Sequence, residues 1–305
     1  VRRRIPPALV LLALAAICGG SVLLVAWLRE RSRTTADWLG RLPPGEAVIV
    51  YVDWEALTRA GFAEWLGLSR LAEEPEYRAF VEQSGFDPRR DLQAALIAFH
   101  PEGAFFLLRG RFDWSALARF VAAQGGVCYN SFCRVAGSRP ERKISYFPLR
   151  RDVMALAVSR DAWAAQRLQA RRAQSLEAPE APLWSLAPAE SLKTARELPP
   201  GTRLFAKAMA GAERLAFWAA PRGDRLELHA EVTCRSAEQA GVLAAQLRGL
   251  TQTLREMIAR EQQQPNPRDL SGVLTAGVFE QQGRRVRARW PLQRPFLESL
   301  AGSGW

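Results

Sequence analysis

The chain is poor in the residues that most often carry chemistry: two histidines, four cysteines and three lysines in 305 residues. His100 precedes Pro101 in a turn, and His229 sits inside the strand-like stretch Arg225 to Thr233. Neither stands beside a recognisable nucleophile, and no Gly-x-Ser-x-Gly elbow occurs. A neutral, hydrogen-bonded imidazole is the expectation for both. The Gly-x-x-x-x-Gly-Lys-Ser/Thr loop and the Gly-x-Gly-x-x-Gly turn are missing. So are Cys-x-x-Cys and its haem-attaching extension. These absences remove the common signatures of nucleotide binding, thioredoxin-type exchange and covalent haem. No second Cys/His pair at ligand spacing exists, which argues against a metal centre. No catalytic, cofactor-binding or metal-binding residue is assigned. Carboxylate-dependent hydrolysis stays open as an alternative, because paired acids assemble in space and leave no local motif; Asp87 and Asp91 lie in a turn too ordinary to carry it.

Lysine is nearly absent from the basic set: only Lys143, Lys193 and Lys207 accompany the arginines. The net charge of +11 raises the question of nucleic acid, and its location answers it. Residues 1–41 hold Arg2, Arg3, Arg4, Arg29, Arg31, Arg33 and Arg41 against Glu30 and Asp37, close to half of the excess. That charge flanks an apolar run and suits anionic lipid headgroups; no nucleic-acid partner is expected.

The run is Ala8 to Leu28, 21 residues without a charge. As a helix it would reach ~32 Å, enough to cross a hydrocarbon core of about 30 Å. Pro6 and Pro7 suit a first helical turn, and Trp27 suits an interface. A cleaved signal peptide would be shorter and end in small residues; here the run exits into Arg29-Glu30-Arg31-Ser32-Arg33. The expectation is a retained signal-anchor, with the lipid bilayer as partner of residues 8–28. Arginines flank both ends, so orientation rests on the short basic head, which favours a cytoplasmic N-terminus.

Cys18 lies in this run and Cys234 stands alone. Cys128 and Cys133 lie in two short strand-like stretches joined by a four-residue loop, Tyr129 to Phe132. Opposed hairpin residues come within about 4.5–5.5 Å at Cα, so a disulfide is possible; two reduced core cysteines are the alternative.

Two motifs recur in order. Leu42-Pro43-Pro44-Gly45 before the strand-like Ala47–Val52 returns as Leu198-Pro199-Pro200-Gly201 before Thr202–Ala208, also read as a strand. Pro88-Arg89-Arg90-Asp91-Leu92 before Gln93–Phe99 returns as Pro267-Arg268-Asp269-Leu270 before Ser271–Phe279. Each leads to a glycine turn, a strand and a helical pattern, which implies two related modules. Asp53-Trp54 and Asp113-Trp114 each stand between a strand and a helix, where an aspartate is expected as an N-cap. Ser236-Ala-Glu-Gln239 is a capping box. It opens the strongest periodic pattern: Ala240, Leu243, Leu247, Leu250, Leu254 and Met257. Leu243, Leu247, Leu250 and Leu254 form either a face for a partner or cover for this module's own sheet. Lys143–Tyr146 and Val153–Ser159 read as strands, Asp161–Arg172 as a helix, and the Pro/Ala-rich stretch after it as a linker or strap.

The order of anchor, Leu-Pro-Pro-Gly, strand and helix, then a second α/β copy, carried by residues 42–57 and 198–208, resembles bacterial envelope proteins of unassigned activity with one N-terminal transmembrane helix and a duplicated α/β body. The resemblance implies an extracytoplasmic location and supplies no site residues.

The expected fold is α+β: a transmembrane helix, then two duplicated modules of mainly antiparallel sheet with helices on one face. The expected organisation is a head and anchor at 1–33, a first module at 42–172 with an added hairpin, a linker at 173–197 and a second module at 198–305. The expected role is binding or scaffolding at the bacterial inner membrane, with the body on the periplasmic side and another membrane or envelope protein as a candidate partner. The first alternative is an accessory subunit of a larger membrane complex.

Overall fold

The computed structural model describes residues 35–302, apart from 63–74, 138, 140, 174–175, 195–199 and 223–224. The uncharged run at 8–28 lies outside the described residues. Among those described, no helix is long and apolar enough to cross a membrane.

The body is built on one antiparallel sheet of twelve strands. The first seven are β1 (Val48–Asp53), β2 (Leu92–His100), β3 (Gly103–Gly110), β4 (Val127–Tyr129), β5 (Phe132–Ala136), β6 (Lys143–Arg150) and β7 (Val153–Ser159). The remaining five are β8 (Leu183–Pro188), β9 (Arg214–Arg222), β10 (Arg225–Thr233), β11 (Val278–Gln282) and β12 (Arg285–Leu292). Their spatial order is β11-β12-β10-β9-β8-β1-β2-β3-β7-β6-β5-β4. Strand β8 pairs with β1 on one side and β9 on the other, so it joins the two halves into a continuous sheet. This corrects the linker assigned to 173–197. Pro182 and Pro188 bracket the strand, and proline at strand ends removes no interior ladder bond.

The helices are α1 (Trp54–Arg59), α2 (Pro75–Ser84), α3 (Pro88–Asp91), α4 (Trp114–Ala123), α5 (Pro200–Met209), α6 (Ala237–Arg260), α7 (Leu270–Thr275) and α8 (Arg294–Gly302). Side chains alternate across the sheet. On one face, Leu215, Ala230, Val232, Val286 and Ala288 meet Phe205 of α5, Leu243 and Leu247 of α6, Leu274 of α7 and Phe296 of α8. Further along that face, Tyr146 and Met154 meet Leu117 and Val121 of α4. The opposite face is not bare, as helices on one side alone would leave it. Trp38, Leu39 and Leu42, the 3-10 helix Ala164–Leu168 and the segment around Leu176 and Ala178 cover β1, β2, β3, β7 and β8 there. Among the described residues the cover stops at β9.

Several local expectations change. Thr202–Ala208 lies in helix α5 and is not a strand. Its buried Phe205, Ala206 and Met209 recur at helical spacing, although the short stretch also satisfies a strand alternation. Ser271–Phe279 divides into α7, capped by Asp269, and the start of β11. The helix expected over Asp161–Arg172 shrinks to the 3-10 turn, whose Ala164, Ala165 and Leu168 are fully buried. The β4–β5 connection is a two-residue turn, not four. Asn130 and Ser131 both take positive φ, the geometry that matches strand twist in tight hairpins.

The caps follow the sequence. Asp53 accepts from Ala56 N at 2.8 Å, Asp113 from Ala116 N at 2.9 Å and Ser236 from Gln239 N at 3.1 Å. Each satisfies a first-turn donor that lacks an intrahelical partner.

Candidate binding surface

A row of side chains crosses five strands on the second face. Tyr51 of β1 is the direct partner of Trp184 of β8, Trp184 of Trp218 of β9, Trp218 of His229 of β10, and His229 of Arg289 of β12. Tyr51 and Trp184 stack with centroids 5.3 Å apart, and Trp218 and His229 stack at 5.2 Å and 5°. Trp38 meets Tyr51 edge-on from above the sheet. Burial falls along the row: Tyr51 and Trp184 are buried, Trp218 and His229 partly so, and Arg289 is exposed.

A cavity of about 520 Å³ lies at the buried end. Tyr51 and Trp184 line it with Thr35, Ala36, Leu39 and the strap at 176–182. The size falls in the range of small-molecule sites, typically apolar with a few fixed polar groups. Glu177 and Glu180 of the strap supply acidic groups among largely apolar walls.

The exposed end is polar. Glu227, only 8% exposed, lies 3.3 Å from Arg222 Nη1 and 3.4 Å from His229 Nε2. Glu231 is held by Arg285 and Arg287, both at 3.1 Å. Along β12 the arginines at 285, 287 and 289 are exposed, while Val286, Ala288 and Trp290 are buried against the helices. The row joins residues from 51 to 289 and was not legible in the sequence. The alternations Glu227-x-His229-x-Glu231 and Arg285-x-Arg287-x-Arg289 are the signal that could have located this uncovered face.

A second recess, lined by Arg90, Asp91, Arg111, Asp113, Trp114 and Asp152 among others, is the place to test the hydrolase alternative. Asp91 accepts from Arg90 Nε and Nη2 at 3.0 and 2.9 Å and from Asp87 N at 3.0 Å, with Arg111 at 3.3 Å. The hydrogen bonds from Arg90 hold its carboxyl below the usual range, against a smaller opposing effect of burial. A general acid needs the opposite shift, and Asp113 is committed to its cap. Tyr77 donates to Asp87 at 2.5 Å, and burial and that bond push its hydroxyl up to about 12. These groups buttress a turn.

Cys128 and Cys133 are opposed residues of β4 and β5, with Cα atoms 4.0 Å apart and their sulfurs bonded. Cys234 is a buried free thiol, pushed up chiefly by burial. The stripe on α6 faces its own sheet: Leu243 and Leu247 are buried, and Leu250 and Leu254 pack on the same core. It therefore gives no exposed seam for a partner, and the own-sheet alternative is the one the fold uses. His100 closes on the Leu-Pro-Pro-Gly turn, with Nε2 3.1 Å from Pro44 O. No cluster of three or more metal-ligating side chains occurs among the described residues.

The chain matches no protein-family model and no curated protein. Among solved structures it is similar to TP0453 in crystal forms I, III and IV, with TM-scores of 0.49, 0.48 and 0.49 and sequence identities of 10, 10 and 11%. These matches cover 88, 87 and 88% of this chain and 96, 96 and 97% of the other.

Proposed function

We propose that the chain is a membrane-anchored envelope protein that binds or scaffolds a partner on the extracytoplasmic side of a bacterial inner membrane. Residues 8–28 serve as the anchor in this reading, and the partner is a ligand or another envelope protein. The observation that carries it is the aromatic row from Tyr51 to His229, which links an apolar cavity to an uncovered, ion-paired sheet face. A closed, fully covered body would offer neither. The bonded Cys128–Cys133 pair supports the compartment, because disulfides persist where the environment is oxidising.

The two halves are proposed to be copies of one plan. Support comes from strand order. In each half three strands run in sequence, a helix follows, and the last strand returns beside the third: β1-β2-β3-β7-β6 and β8-β9-β10-β12-β11. This correspondence matches β11 and β12 with β6 and β7, whereas the repeated Pro-Arg motif matched them with β2 and β3. The β4–β5 hairpin is then an addition to the first copy.

The test is affinity purification of the full chain from detergent-solubilised membranes, beside the variants Trp218→Ala and Glu180→Gln, toward the cavity end of the row. The expected result is a recovered partner that both variants lose. Recovery of the chain alone, or a partner indifferent to both substitutions, contradicts a partner at the cavity end of the row. A large complex that persists in both variants and depends on Gly19, Gly20 and Ser21, the small residues of the 8–28 run that would let another helix pack close, would favour the accessory-subunit alternative.

A further inference from the structure

We infer that the uncovered face of β9–β12 rests on the anionic headgroups of the bilayer that holds the anchor; this rests on the anchor reading above. The register puts Arg214, Arg222, Arg225, Arg285, Arg287 and Arg289 on one face, and all six are exposed. Three acids share that face, Glu227, Glu231 and Glu280. Two of them sit low: the side chains of Glu227 and Glu231 are 11% and 18% exposed, beneath arginines that are 49–67% exposed. Three guanidiniums each give one nitrogen to a withdrawn acid, Nη1 of Arg222 to Glu227 and Nη1 of Arg285 and Nε of Arg287 to Glu231, and their exposed remainder forms the outer layer. An arginine layer over withdrawn carboxylates complements a negative plane of lipid headgroups.

Chain geometry brings this face to the membrane. The described chain begins at Thr35, in the wall of the cavity over Tyr51 and Trp184. Seven residue steps separate Leu28 from Thr35, a reach of at most ~25 Å when fully extended. Strand β12 lies three strands from β8, roughly 14 Å at about 4.8 Å per strand. The arginine face is thus within reach of the surface from which the anchor emerges. On the opposite face of β9–β12, helices α5–α8 intervene.

The test uses the full chain in nanodiscs of phosphatidylcholine alone or mixed with phosphatidylglycerol, each with a headgroup-nitroxide lipid. A fluorophore is attached in a Cys18→Ser background at Gln282→Cys, on the arginine face, or at Gln246→Cys, on the outer side of α6. The inference expects quenching at position 282 to exceed that at 246 several-fold in anionic discs and to fall toward the neutral level with added salt. Equal quenching at both positions, stronger quenching at 246, or indifference to phosphatidylglycerol overturns it and leaves the anchor standing. Failure of the chain to co-elute with discs of either composition removes the anchor and the inference together. These readings keep every arginine in place, so they do not depend on a charge-reversed variant folding.

Discussion

Tyr51 and Trp184 stack across the seam between β1 and β8, with ring centroids 5.3 Å apart. Both are buried, and they tie together strands from the two halves of the chain. Trp184→Ala should cost about 3–5 kcal/mol, the usual range for removing a buried aromatic. Because β8 pairs with strands of both halves, amide exchange should accelerate in β2 and in β10 alike. Acceleration in one half only would show that the sheet does not act as a unit.

The leucine stripe of α6 separates cover from seam. Leu247 is fully buried, and Met257 near the end of the helix is 54% exposed. Leu247→Ala should cost about 2–5 kcal/mol, whereas Met257→Ala should stay within about 0.5 kcal/mol. Urea denaturation should give the same loss for Leu247→Ala at every protein concentration. A loss that grows on dilution would mean that Leu247 serves an assembly.

Asp91 ties α3 to the exit of β3 through Arg111, while Arg90 of the same helix adds a second guanidinium. Its carboxyl is held below the usual range, so its stabilisation is complete above the unfolded carboxylate value of about 4 and is lost as pH falls through the folded value. Asp91→Asn should therefore cost about 1–2 kcal/mol at neutral pH, the guanidiniums being largely solvated. The difference from the parent chain should shrink in acid. A difference that widens below pH ~4 would contradict the assigned ion pair.

The Cys128–Cys133 bond closes a short loop on an outer hairpin. Replacing both residues by serine should cost about 2 kcal/mol on the chain-entropy account, read as a lower urea midpoint. The same midpoint should appear on reducing the parent chain. No shift on reduction would mean that the bond does not form.

Local chemistry was readable; long-range register was not. Asp53, Asp113 and Ser236 announce helix starts because a cap acts within three residues, and the structure bears out all three. The α6 pattern was visible because its leucines recur over many turns. Strand β8 was hidden because proline brackets a stretch only six residues long. Helix α5 was misread because seven residues fit both periods. The row from Tyr51 to Arg289 depends on four strand pairings, three of them between distant segments, and no short window of sequence contains it. The uncovered face shows itself only as charges at alternate positions, a pattern that ordinary solvated strands share.

The central claim is tested most directly by where the chain resides and whether its hairpin thiols are bonded there. The account predicts a full-length product in the membrane fraction, resistant to alkaline carbonate. Its C-terminal body should be digestible by protease added to spheroplasts, and Cys128 and Cys133 should be blocked to alkylation until a reductant is added. A full-length product recovered in the cytosolic supernatant, with both thiols modified without reductant, would contradict it.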